Sequence, residues 1–353
     1  MKNVIKPNFW KNKKVFVTGH TGFKGSWLCL FLKHLGAEVT GYSLKPNTKP
    51  NLFDLAGVKK IIKKSIIADV RNYQKINNEI KKSKATILFH LAAQPLVRYS
   101  YLKPKDTFDT NFTGSLNILE SIKNNKIIKT GIIITTDKVY DNTNNKIFKE
   151  TDRLGGLDPY SSSKVCVEFL FNSYLKSFFK KGNQMIATVR AGNVIGGGDY
   201  SLDRLVPDIY KSIKSKKKIF LRNPQSVRPW QHVLEPLSGY ILLSAKLRDD
   251  PKKFSGSWNF GPSSSEVRTV KEVASKIIHH LGKGKIEITG ARDQHHEAML
   301  LQLNCDKSHQ ILNWEPRWHV EETLKYTAEW YKKVLDGESA EDITKLQVHK
   351  YFN

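Results

Sequence analysis

The stretch "VFVTGHTGFKGSWL", residues 15–28, decides the fold prediction for this chain of 353 residues. An apolar run leads directly into glycines, and the helix-like segment "FKGSWLCLFLKHLG" follows and ends at Gly36. Glycine lets the backbone turn sharply after a strand and lets a phosphate approach the free N–H groups of the next helix. Three glycines alone also suit a plain turn. Because Gly19, Gly22 and Gly25 lie between a first strand and a first helix, we favour a dinucleotide-binding loop.

The first half of the chain alternates strand-like and helix-like segments. The strand-like segments "EVTGYSL", "IIKKSIIAD", "TILFHLA", "GIIITTD" and "MIATVRAGNV" follow the first helix, with helices between them near residues 105–125 and from Tyr160. Such alternation implies right-handed crossovers and a parallel sheet covered on both faces. We therefore predict an α/β fold, a doubly wound Rossmann-like parallel sheet with a smaller C-terminal substrate lobe. Residues 1–192 plus about 231–260 would bind the dinucleotide, and about 193–230 plus 261–345 the substrate.

The composition excludes several classes of protein. The net charge is +25, but the lysines lie in scattered groups such as "KNKK" and "KSKKK", which predicts a solvated basic surface and no nucleic-acid partner. No stretch reaches the roughly 18 apolar residues of a membrane helix, so no membrane is expected. Three widely separated cysteines predict a reduced, cytoplasmic protein. His295, His296 and Glu297 lack a further ligand block at metal spacing, so no metal site is predicted.

The segment "PYSSSK" carries Tyr160 and Lys164 four residues apart, on one face of a helix. A lysine ammonium beside a phenol and near a positive nicotinamide favours the tyrosinate, so we expect the Tyr160 pKa to fall from about 10 toward working pH. Such a base can take a proton from a sugar hydroxyl while a hydride leaves for the cofactor. This pair is common by chance, but the nucleotide loop and Thr136 at a strand end favour a functional pair.

The segment "TTDKVYDN", residues 135–142, places a hydroxyl, an acid and an amine side by side after the apolar run "GIIIT". Thr136, Asp137 and Lys138 form either an ordinary turn with a salt link or a set of proton-transfer groups. A mere turn rarely aligns with a Tyr-Lys helix. We therefore favour a functional pair of Asp137 and Lys138, with the role of each left open.

The acidic residue that usually holds the adenosine ribose, about 20 residues after the glycines, is missing. The second strand ends in "GYSLKP" with Ser43 and Lys45, so these residues leave the choice between NAD and NADP open. Asp69 follows the third strand. Its carboxylate is predicted to accept a hydrogen bond from the adenine amino group, to cap the helical stretch "VRNYQKINNEI", or both.

The glycine loop, Thr136, Tyr160 and Lys164 together resemble the extended short-chain dehydrogenase/reductases, which include nucleotide-sugar epimerases and dehydratases. Over about residues 10–335, the blocks "HLAAQPLVR", "TDKVYDN", "GGLDPYSSSK", "VRAGNVIGGGDY", "RPWQHVLEPLSGY" and "WNFGP" are similar to those of the CDP-glucose 4,6-dehydratases. This resemblance implies NAD as cofactor, CDP-glucose as substrate, and loss of water to give CDP-4-keto-6-deoxyglucose. The cytosine base rests on the resemblance alone.

The resemblance also implies a role for each catalytic residue. Tyr160 would be the base at the C4 hydroxyl, Lys164 its electrostatic support, and Thr136 a hydrogen-bond partner of the C4 oxygen. Asp137 would protonate the departing C6 hydroxyl. Lys138, a glutamate in the related dTDP-glucose enzymes, would act at C5 as base or as stabiliser of the enolate. The predicted cofactor-binding residues are Gly19, Thr21, Gly22, Phe23, Gly25, Asp69, Val70, Leu91, Ala92, Ala93, Tyr160 and Lys164.

The substrate-binding residues are predicted mainly from the second half of the chain. Arg228 in "VRPWQH" resembles the arginine that holds the pyrophosphate in related enzymes, and a guanidinium group is the natural bidentate partner of phosphate oxygens. Trp230 either lines a base pocket or lies in the core. The glycine loop at residues 196–198 either meets a diphosphate or forms a plain tight turn. The predicted substrate-binding residues are Gln94, Arg98, Asn193, Arg222, Arg228 and His232.

The helices near residues 105–125 and from Tyr160 carry apolar faces in "NFTGSLNILESI" and "VCVEFLFNSYLKSFF". In resembling proteins such faces pair between subunits, so a homodimer is predicted and a tetramer stays open. One rival function is a dehydratase or epimerase for a dTDP-, UDP- or GDP-linked sugar, although a simple epimerase has no use for Asp137 and Lys138. Another is an idle nucleotide-binding scaffold, which would not need Thr136, Tyr160 and Lys164.

Overall fold

The computed structural model describes residues 5–143, 146–179, 184–221, 223–263, 266–288 and 301–352. Two predicted features, Arg222 and the cluster at residues 295–297, lie outside these ranges. The strands are β1 (Lys14–Thr18), β2 (Glu38–Ser43), β3 (Lys64–Ile67), β4 (Ile87–His90), β5 (Thr130–Ile134), β6 (Ile147–Phe148), β7 (Met185–Ala191), β8 (Asn193–Ile195), β9 (Ile219–Leu221), β10 (Val227–His232), β11 (Gly256–Phe260), β12 (Val267–Thr269), β13 (Ile286–Ile288) and β14 (Gln302–Leu303).

Helices connect and cover these strands. The α-helices are α1 (Pro7–Trp10), α2 (Phe23–His34), α3 (Leu52–Leu55), α4 (Val58–Ile61), α5 (Tyr73–Ser83), α6 (Val97–Leu102), α7 (Pro104–Phe108), α8 (Gly114–Asn124), α9 (Pro159–Tyr174), α10 (Leu205–Lys214), α11 (Leu234–Asp249), α12 (Pro251–Phe254), α13 (Val270–Leu281), α14 (Asp306–Gln310), α15 (Val320–Leu335) and α16 (Ala340–Phe352). A 3₁₀ turn spans Asp137–Val139, and π-helical turns span Asp109–Thr113 and Leu175–Phe179.

The main sheet has seven strands in the order β11-β7-β5-β4-β1-β2-β3, and each pair of neighbours runs parallel. The strand order reverses between β1 and β4, where Thr18 lies in register with His90. In open α/β sheets, ligands bind at such a reversal, outside the carboxyl ends of the strands. The predicted doubly wound parallel sheet is confirmed. Its topology places the site beyond Thr18, His90 and Ile134.

The two faces of the sheet are both covered, which explains why its strands are apolar runs instead of alternating patterns. On one face, a large core joins α2 and α11 to the C-terminal helices α15 and α16. On the other face, α5, α8 and α9 enclose a second core. The predicted helix near residues 105–125 is three segments in the structure, because the π-helical turn at Asp109–Thr113 separates α7 from α8.

The second half of the chain forms smaller sheets, β12-β10-β8, β13-β9 and β14-β6. However, α11 and β11 return to the main sheet, and α16 packs against α2 and α3. The division into two lobes at the boundaries given above therefore stays a proposal. Within the described ranges, the longest apolar helices fall short of what crossing a membrane requires.

The glycine loop at residues 196–198 is buried, and its role differs from a diphosphate cradle. A Cβ atom on Gly197 would lie 1.9 Å from the indole of Trp330, and one on Gly198 would lie 2.5 Å from Leu52. Trp27 also donates its indole hydrogen to the carbonyl of Gly197 at 3.0 Å. Close packing of aromatic side chains, not phosphate binding, therefore explains these glycines. The tight-turn alternative is the one that fits.

Candidate active site

The glycine loop between β1 and α2 is held tightly in place. Gly19 adopts a φ of +74°, and a Cβ there would lie 2.7 Å from the backbone nitrogen of Ala92. A Cβ on Gly25 would lie 2.0 Å from the carbonyl oxygen of Gly19, so the start of α2 rests directly on the loop. No described side chain caps α2 at Gly22. The first N–H groups of this helix are therefore oriented for an anion, as phosphate binding requires.

A buried hydrogen-bond chain fixes the neighbouring loop after β4. The Thr18 hydroxyl oxygen accepts the N–H groups of Leu91 and Ala92, both at 3.1 Å, and lies 2.7 Å from Nδ1 of His90. The Thr18 hydrogen is then directed to Nδ1, so Nε2 carries the ring hydrogen and donates it to Ser115 at 3.1 Å. Burial lowers the His90 pKa to about 3, so the ring is neutral. His90 is a strand-end histidine that orders the loop.

The end of β2, where an acidic residue is usual in a dinucleotide-binding fold, carries hydroxyl groups. The hydroxyls of Thr21 and Ser43 lie 2.9 Å apart, and Thr21 donates to the carbonyl of Leu44 at 2.8 Å. The side chain of Lys45, one of the residues that leave the choice between NAD and NADP open, is exposed. Ser43, at the end of β2, is therefore hydrogen-bonded through its hydroxyl to Thr21 of the glycine loop.

Asp69 lies beyond β3 and bonds the guanidinium group of Arg71 at 2.6 Å and 2.9 Å. The prediction that Asp69 caps the next helix is wrong, because Asn72 is the residue that caps α5. Val70 is buried against α8, where a Cβ on Gly114 would lie 2.8 Å from it. Asp69 and Val70 were both predicted to bind the cofactor. Of the two, only Asp69 has a partly exposed polar side chain.

The structure brings the five predicted catalytic residues together at the end of β5. Thr136 leads into the 3₁₀ turn that carries Asp137 and Lys138, and its hydroxyl donates to Asp137 at 3.0 Å. Thr136 also hydrogen-bonds the Tyr160 phenol. The Lys164 ammonium donates to the carbonyl of Ile134 at 3.1 Å. A capping box at Asp158 starts α9 one residue before Tyr160, and this fixes the face that the helix presents.

Burial dominates the electrostatics of this cluster. It raises the pKa of Tyr160 to about 12 and lowers that of Lys164 to about 8. The expected fall of the Tyr160 pKa includes the charge of a nicotinamide, so it stays a prediction for the protein with its cofactor. Burial outweighs the effect of the hydrogen bond between Thr136 and the phenol, and Lys164 donates to the Ile134 carbonyl. Burial also raises the pKa of the Asp137 carboxyl, against the opposing charges of neighbouring lysines and Arg228. Asp137 thus holds its proton more tightly than an ordinary aspartate.

A second buried cluster lies next to the predicted catalytic residues and connects the elements that carry them. Glu168, one turn beyond Lys164 on α9, forms an ion pair with Arg190 of β7 at 2.9 Å. The same carboxylate accepts hydrogen bonds from Thr135 at 2.6 Å and Thr188 at 2.9 Å. Because Thr135 precedes Thr136, this cluster joins the end of β5 to α9.

Three residues near the site were missed by the sequence predictions. Asn111, in the π-helical turn, donates to Ser163 of α9 at 2.8 Å and accepts the Gln94 N–H at 2.8 Å. A π-helical turn often marks a functional position, but nothing in the sequence announced this one. Lys24 and Arg204 both act electrostatically on the cluster. The available signal for Lys24 was a cation in the first turn of a helix, where the dipole disfavours it.

The predicted substrate-binding residues are placed unevenly. Arg228 is buried on β10 and acts electrostatically on Asp137, so it faces the catalytic cluster. Asn193 is half-buried at the start of β8, in register with Trp230. Arg98 of α6 pairs with Asp203, in the segment before α10, at 3.2 Å.

Two substrate predictions do not fit the structure. The Gln94 amide donates to Thr107 at 2.8 Å and exchanges hydrogen bonds with the backbone of Leu96, so it holds its own loop. His232 has no exposed surface and packs edge-on between Trp27 and Trp318, with its pKa lowered to about 3 by burial. Trp230 lies in the core as well, the second of its two predicted positions.

No group of three or more His, Cys, Asp or Glu side chains within the described ranges could hold a metal ion. The site is instead a glycine-lined helix start facing a buried Thr-Tyr-Lys cluster, with an acid and an amine beside it. A Rossmann-like sheet with these features defines an extended short-chain dehydrogenase/reductase.

Comparison with known proteins narrows this class. The family model for GDP-mannose 4,6 dehydratase matches residues 16–327. The CDP-glucose 4,6-dehydratase of Salmonella typhimurium is 43% identical over 99% of this chain and 99% of its own. The chain belongs to the GDP-mannose 4,6 dehydratase family.

Solved structures show the same architecture. The crystal structure of dTDP-glucose 4,6-dehydratase from Bacillus anthracis in complex with NAD is 25% identical, with a TM-score of 0.76 over 91% of this chain and 97% of that chain. The UDP-glucose 4-epimerase of Thermotoga maritima with UDP-glucose is 22% identical, with a TM-score of 0.78 over 91% of this chain and 99% of that chain. The second likeness is one of fold alone.

Proposed function

We propose that this protein is an NAD-dependent CDP-glucose 4,6-dehydratase, which converts CDP-glucose to CDP-4-keto-6-deoxyglucose and water. One observation carries the proposal. A buried aspartate with a raised pKa, Asp137, lies between a lysine and a threonine that bonds the Tyr160 phenol. The 43% identity to a CDP-glucose 4,6-dehydratase over the whole chain supports the sugar nucleotide.

The chain fits a bound dinucleotide. The uncapped start of α2 and the close contact of Gly25 with Gly19 form a cradle without side-chain bulk. We assign Gly19, Gly22, Phe23 and Gly25 to the pyrophosphate and Asp69 to the adenine. When bound, NAD would supply the hydride acceptor for C4 and the hydride donor for C6, and its positive charge would favour ionisation of Tyr160.

In the first step, Tyr160 takes the proton of the C4 hydroxyl while Thr136 holds the C4 oxygen. Lys164 supports the tyrosinate. Its own lowered pKa means that its proton can also be released near neutral pH. The raised Tyr160 pKa supports a base that forms only when further positive charge is added to the site.

In the second step, the C4 ketone makes the C5 hydrogen acidic. Asp137 then protonates the departing C6 hydroxyl, a role that the raised pKa of this carboxyl supports. The half-buried Lys138 acts at C5, either by taking the proton or by stabilising the enolate. An epimerase would need neither group, so the pair favours a dehydratase over the rival reading.

The remaining assignments concern the substrate, the assembly and the location. We assign Arg228 to the substrate pyrophosphate and propose Asn193 and Arg98 as further substrate-binding residues. We also propose a homodimer formed through α8 and α9, because the α9 face exposes Phe169 (60% exposed) and the following turn exposes Phe178 (51% exposed). A cytoplasmic location is part of the proposal and accords with three free cysteines.

The test is direct. Purified protein is incubated with CDP-glucose and NAD, and the product is followed by mass and by the alkaline absorbance of a 4-keto-6-deoxy sugar. We expect loss of one water per sugar without accumulation of NADH. Turnover of dTDP-, UDP- or GDP-glucose instead would keep the chemistry and reject the cytidine assignment. Inactivity with all four would reject the enzyme.

A further inference from the structure

The 3₁₀ turn after β5 is attached at both ends to one buried ion pair. Just before the turn, Thr135 donates to the Glu168 carboxylate at 2.6 Å. Directly after it, the Tyr140 hydroxyl accepts a hydrogen bond from Arg190 at 2.7 Å. Glu168 and Arg190 are joined to each other by two hydrogen bonds of 2.9 Å. The position of the turn is therefore coupled to β7, which carries Arg190, and to α9, which carries Glu168.

The Tyr140 hydroxyl both accepts and donates a hydrogen bond. It accepts the one from Arg190 and donates to Oδ1 of Asn259 at 2.7 Å. The Asn259 amide nitrogen donates to the carbonyls of Phe148 and Asn304 at 3.0 Å and 3.1 Å, so its oxygen is left to face the phenol. Asn259 of β11 lies in register with Arg190 of β7. The hydroxyl thus links the turn to two adjacent strands of the main sheet.

The ring of Tyr140 is held by contacts that do not need its hydroxyl. The side chain is buried, and its ring stacks on Phe148 with centroids 4.9 Å apart and an interplanar angle of 13°. The Arg190 guanidinium lies 4.9 Å from the centroid of the same ring. A phenylalanine would keep both contacts. Tyr140→Phe therefore removes the hydrogen bonds to Arg190 and Asn259 and preserves the packing, so the variant should fold.

Small movements of the turn would displace the Asp137 carboxyl. Gly192 directly follows β7, and a Cβ atom there would lie 3.1 Å from Oδ2 of Asp137. The strand that carries Arg190 therefore ends against this carboxyl. The Gly155 N–H also donates to the carbonyl of Val139 at 2.9 Å, which limits how far the turn can move. Loss of the Tyr140 hydroxyl should then shift the turn by a fraction of an ångström and leave it folded.

The groups assigned to C4 oxidation are held by other contacts. The Lys164 ammonium donates to the carbonyl of Ile134 at 3.1 Å. The backbone N–H of Tyr160 donates to the Ser100 hydroxyl at 3.1 Å, which fixes the start of α9. Neither contact involves Tyr140. A change at the Tyr140 hydroxyl should therefore affect the elimination groups more than the oxidation groups.

We propose that Tyr140 is a positioning residue for the elimination step. It acts through its hydrogen bonds with Arg190 and Asn259. These bonds fix the turn so that the Asp137 carboxyl faces C6 and the Lys138 amine faces C5 once C4 has been oxidised. The inference deepens the proposed function and rests on it for its kinetic test. Elimination is sensitive to such placement because the acid and the amine must both lie within reach of the sugar.

The first test needs neither cofactor nor substrate. Hydrogen exchange of the peptide at residues 135–142 is measured by mass spectrometry in the wild type, Tyr140→Phe and Tyr351→Phe. Tyr351 provides the matched control, since its buried hydroxyl also has two partners, Glu235 and Ser238, at 2.8 Å and 3.0 Å. Exchange in Tyr140→Phe should be about 3- to 10-fold faster, as expected for the loss of one hydrogen bond. Tyr351→Phe should leave this peptide unchanged.

The second test follows the two chemical steps separately. Each protein with bound NAD is mixed rapidly with CDP-glucose deuterated at C5, which slows elimination and makes the reduced cofactor visible by its absorbance. This absorbance rises with C4 oxidation and falls with elimination and return of the hydride to C6. For Tyr140→Phe, the rise should stay within about 2-fold of the wild-type rate, and the fall should be about 5- to 20-fold slower. Tyr351→Phe should match the wild type in both rates.

A purely structural role for Tyr140 predicts a different result. Both variants should melt about 1 to 4 °C below the wild type, so their stability is matched. If Tyr140 only stabilised the fold, its variant would lower the amplitude of both phases and leave both rates unchanged. That result, an equal slowing of both phases, or unchanged hydrogen exchange would each overturn the proposal. If the wild type dehydrates no sugar nucleotide, the proposed function fails, and the first test still decides whether Tyr140 holds the turn.

Discussion

Two buried carboxylates near the predicted catalytic residues, Glu168 on α9 and Asp137 in the turn after β5, behave in opposite ways. Glu168 is fully enclosed but accepts the guanidinium of Arg190 and three hydroxyl hydrogens, and these partners hold its pKa below the usual range. Asp137 is almost as enclosed, yet the same desolvation prevails there and raises its pKa. Hydrogen bonds and charge pairing, not burial alone, therefore distinguish a structural carboxylate from one that can exchange a proton.

The largest expected effect is on the paired carboxylate. Glu168→Gln leaves the buried Arg190 charge without its partner and turns an amide N–H group toward hydroxyl donors. We expect a loss of roughly 3 to 5 kcal/mol in the free energy of unfolding, measured by urea denaturation at pH 7. A loss below about 1 kcal/mol would mean that the ion pair only offsets its own desolvation, and the comparison with Asp137 would lose its basis.

The same carboxylate-to-amide change at the other position should affect rate instead of stability. Asp137→Asn cannot donate a carboxyl proton to the departing C6 hydroxyl, so kcat for CDP-glucose should fall by about 10² to 10³, equivalent to about 3 to 4 kcal/mol. The free energy of unfolding should change by less than about 1 kcal/mol, because the variant removes a buried charge that lacks full compensation. A variant that unfolds as easily as Glu168→Gln would show that Asp137 is structural.

A third buried carboxylate tests whether a raised pKa identifies a catalytic group. Glu235 on α11 accepts the N–H groups of Arg317 and Trp318 and the hydroxyl of Tyr351, so it anchors the C-terminal helix far from the catalytic cluster. Burial nevertheless raises its pKa to about 7. A shifted pKa also arises in networks of structural residues. It therefore indicates a catalytic group only when the residue also lies in the candidate active site.

Glu235 predicts a pH dependence of stability with a definite sign. Its folded-state pKa lies above the ordinary glutamate value of 4.5, so the stabilisation that the protonated form provides is complete below that value and is lost as pH rises through about 7. Relative to the wild type, Glu235→Gln should therefore gain about 2 to 3 kcal/mol in unfolding free energy between pH 5 and pH 8. Urea denaturation over this pH range measures it. A constant difference between the two proteins would contradict the raised pKa.

The sequence carried most of the fold because its strands are short apolar runs separated by helices of clear length. That Thr136, Tyr160 and Lys164 lie together also followed from spacing, since each marks the end or face of a predictable element. The ionisation states of these residues could not be predicted from the sequence. The Tyr160 pKa depends on how deeply the phenol is buried, and the bond from Lys164 to the Ile134 carbonyl depends on tertiary packing.

The weaker predictions failed for a related reason. Gln94 and His232 are polar residues in promising motifs, but the structure uses one to hold a loop and encloses the other between indoles. A sequence shows that a side chain can form hydrogen bonds. It does not show which partner forms them in the folded protein. Lys24 was missed for the same reason, because its electrostatic interactions are with Lys164 of α9 and with Arg204 before α10.

The smallest expected effect comes from an ion pair on the surface, and it isolates the contribution of burial. Glu38 and Lys63 lie 2.6 Å apart, a shorter separation than that of Glu168 and Arg190, but their side chains are 37% and 53% exposed. Water already solvates both charges, so Glu38→Gln should cost less than about 0.5 kcal/mol by urea denaturation. Because the chemical change is the one made at Glu168, the ratio of the two losses measures how much enclosure adds to a pair. A surface loss of several kcal/mol would mean that contact distance, not enclosure, sets the strength of ion pairs in this protein.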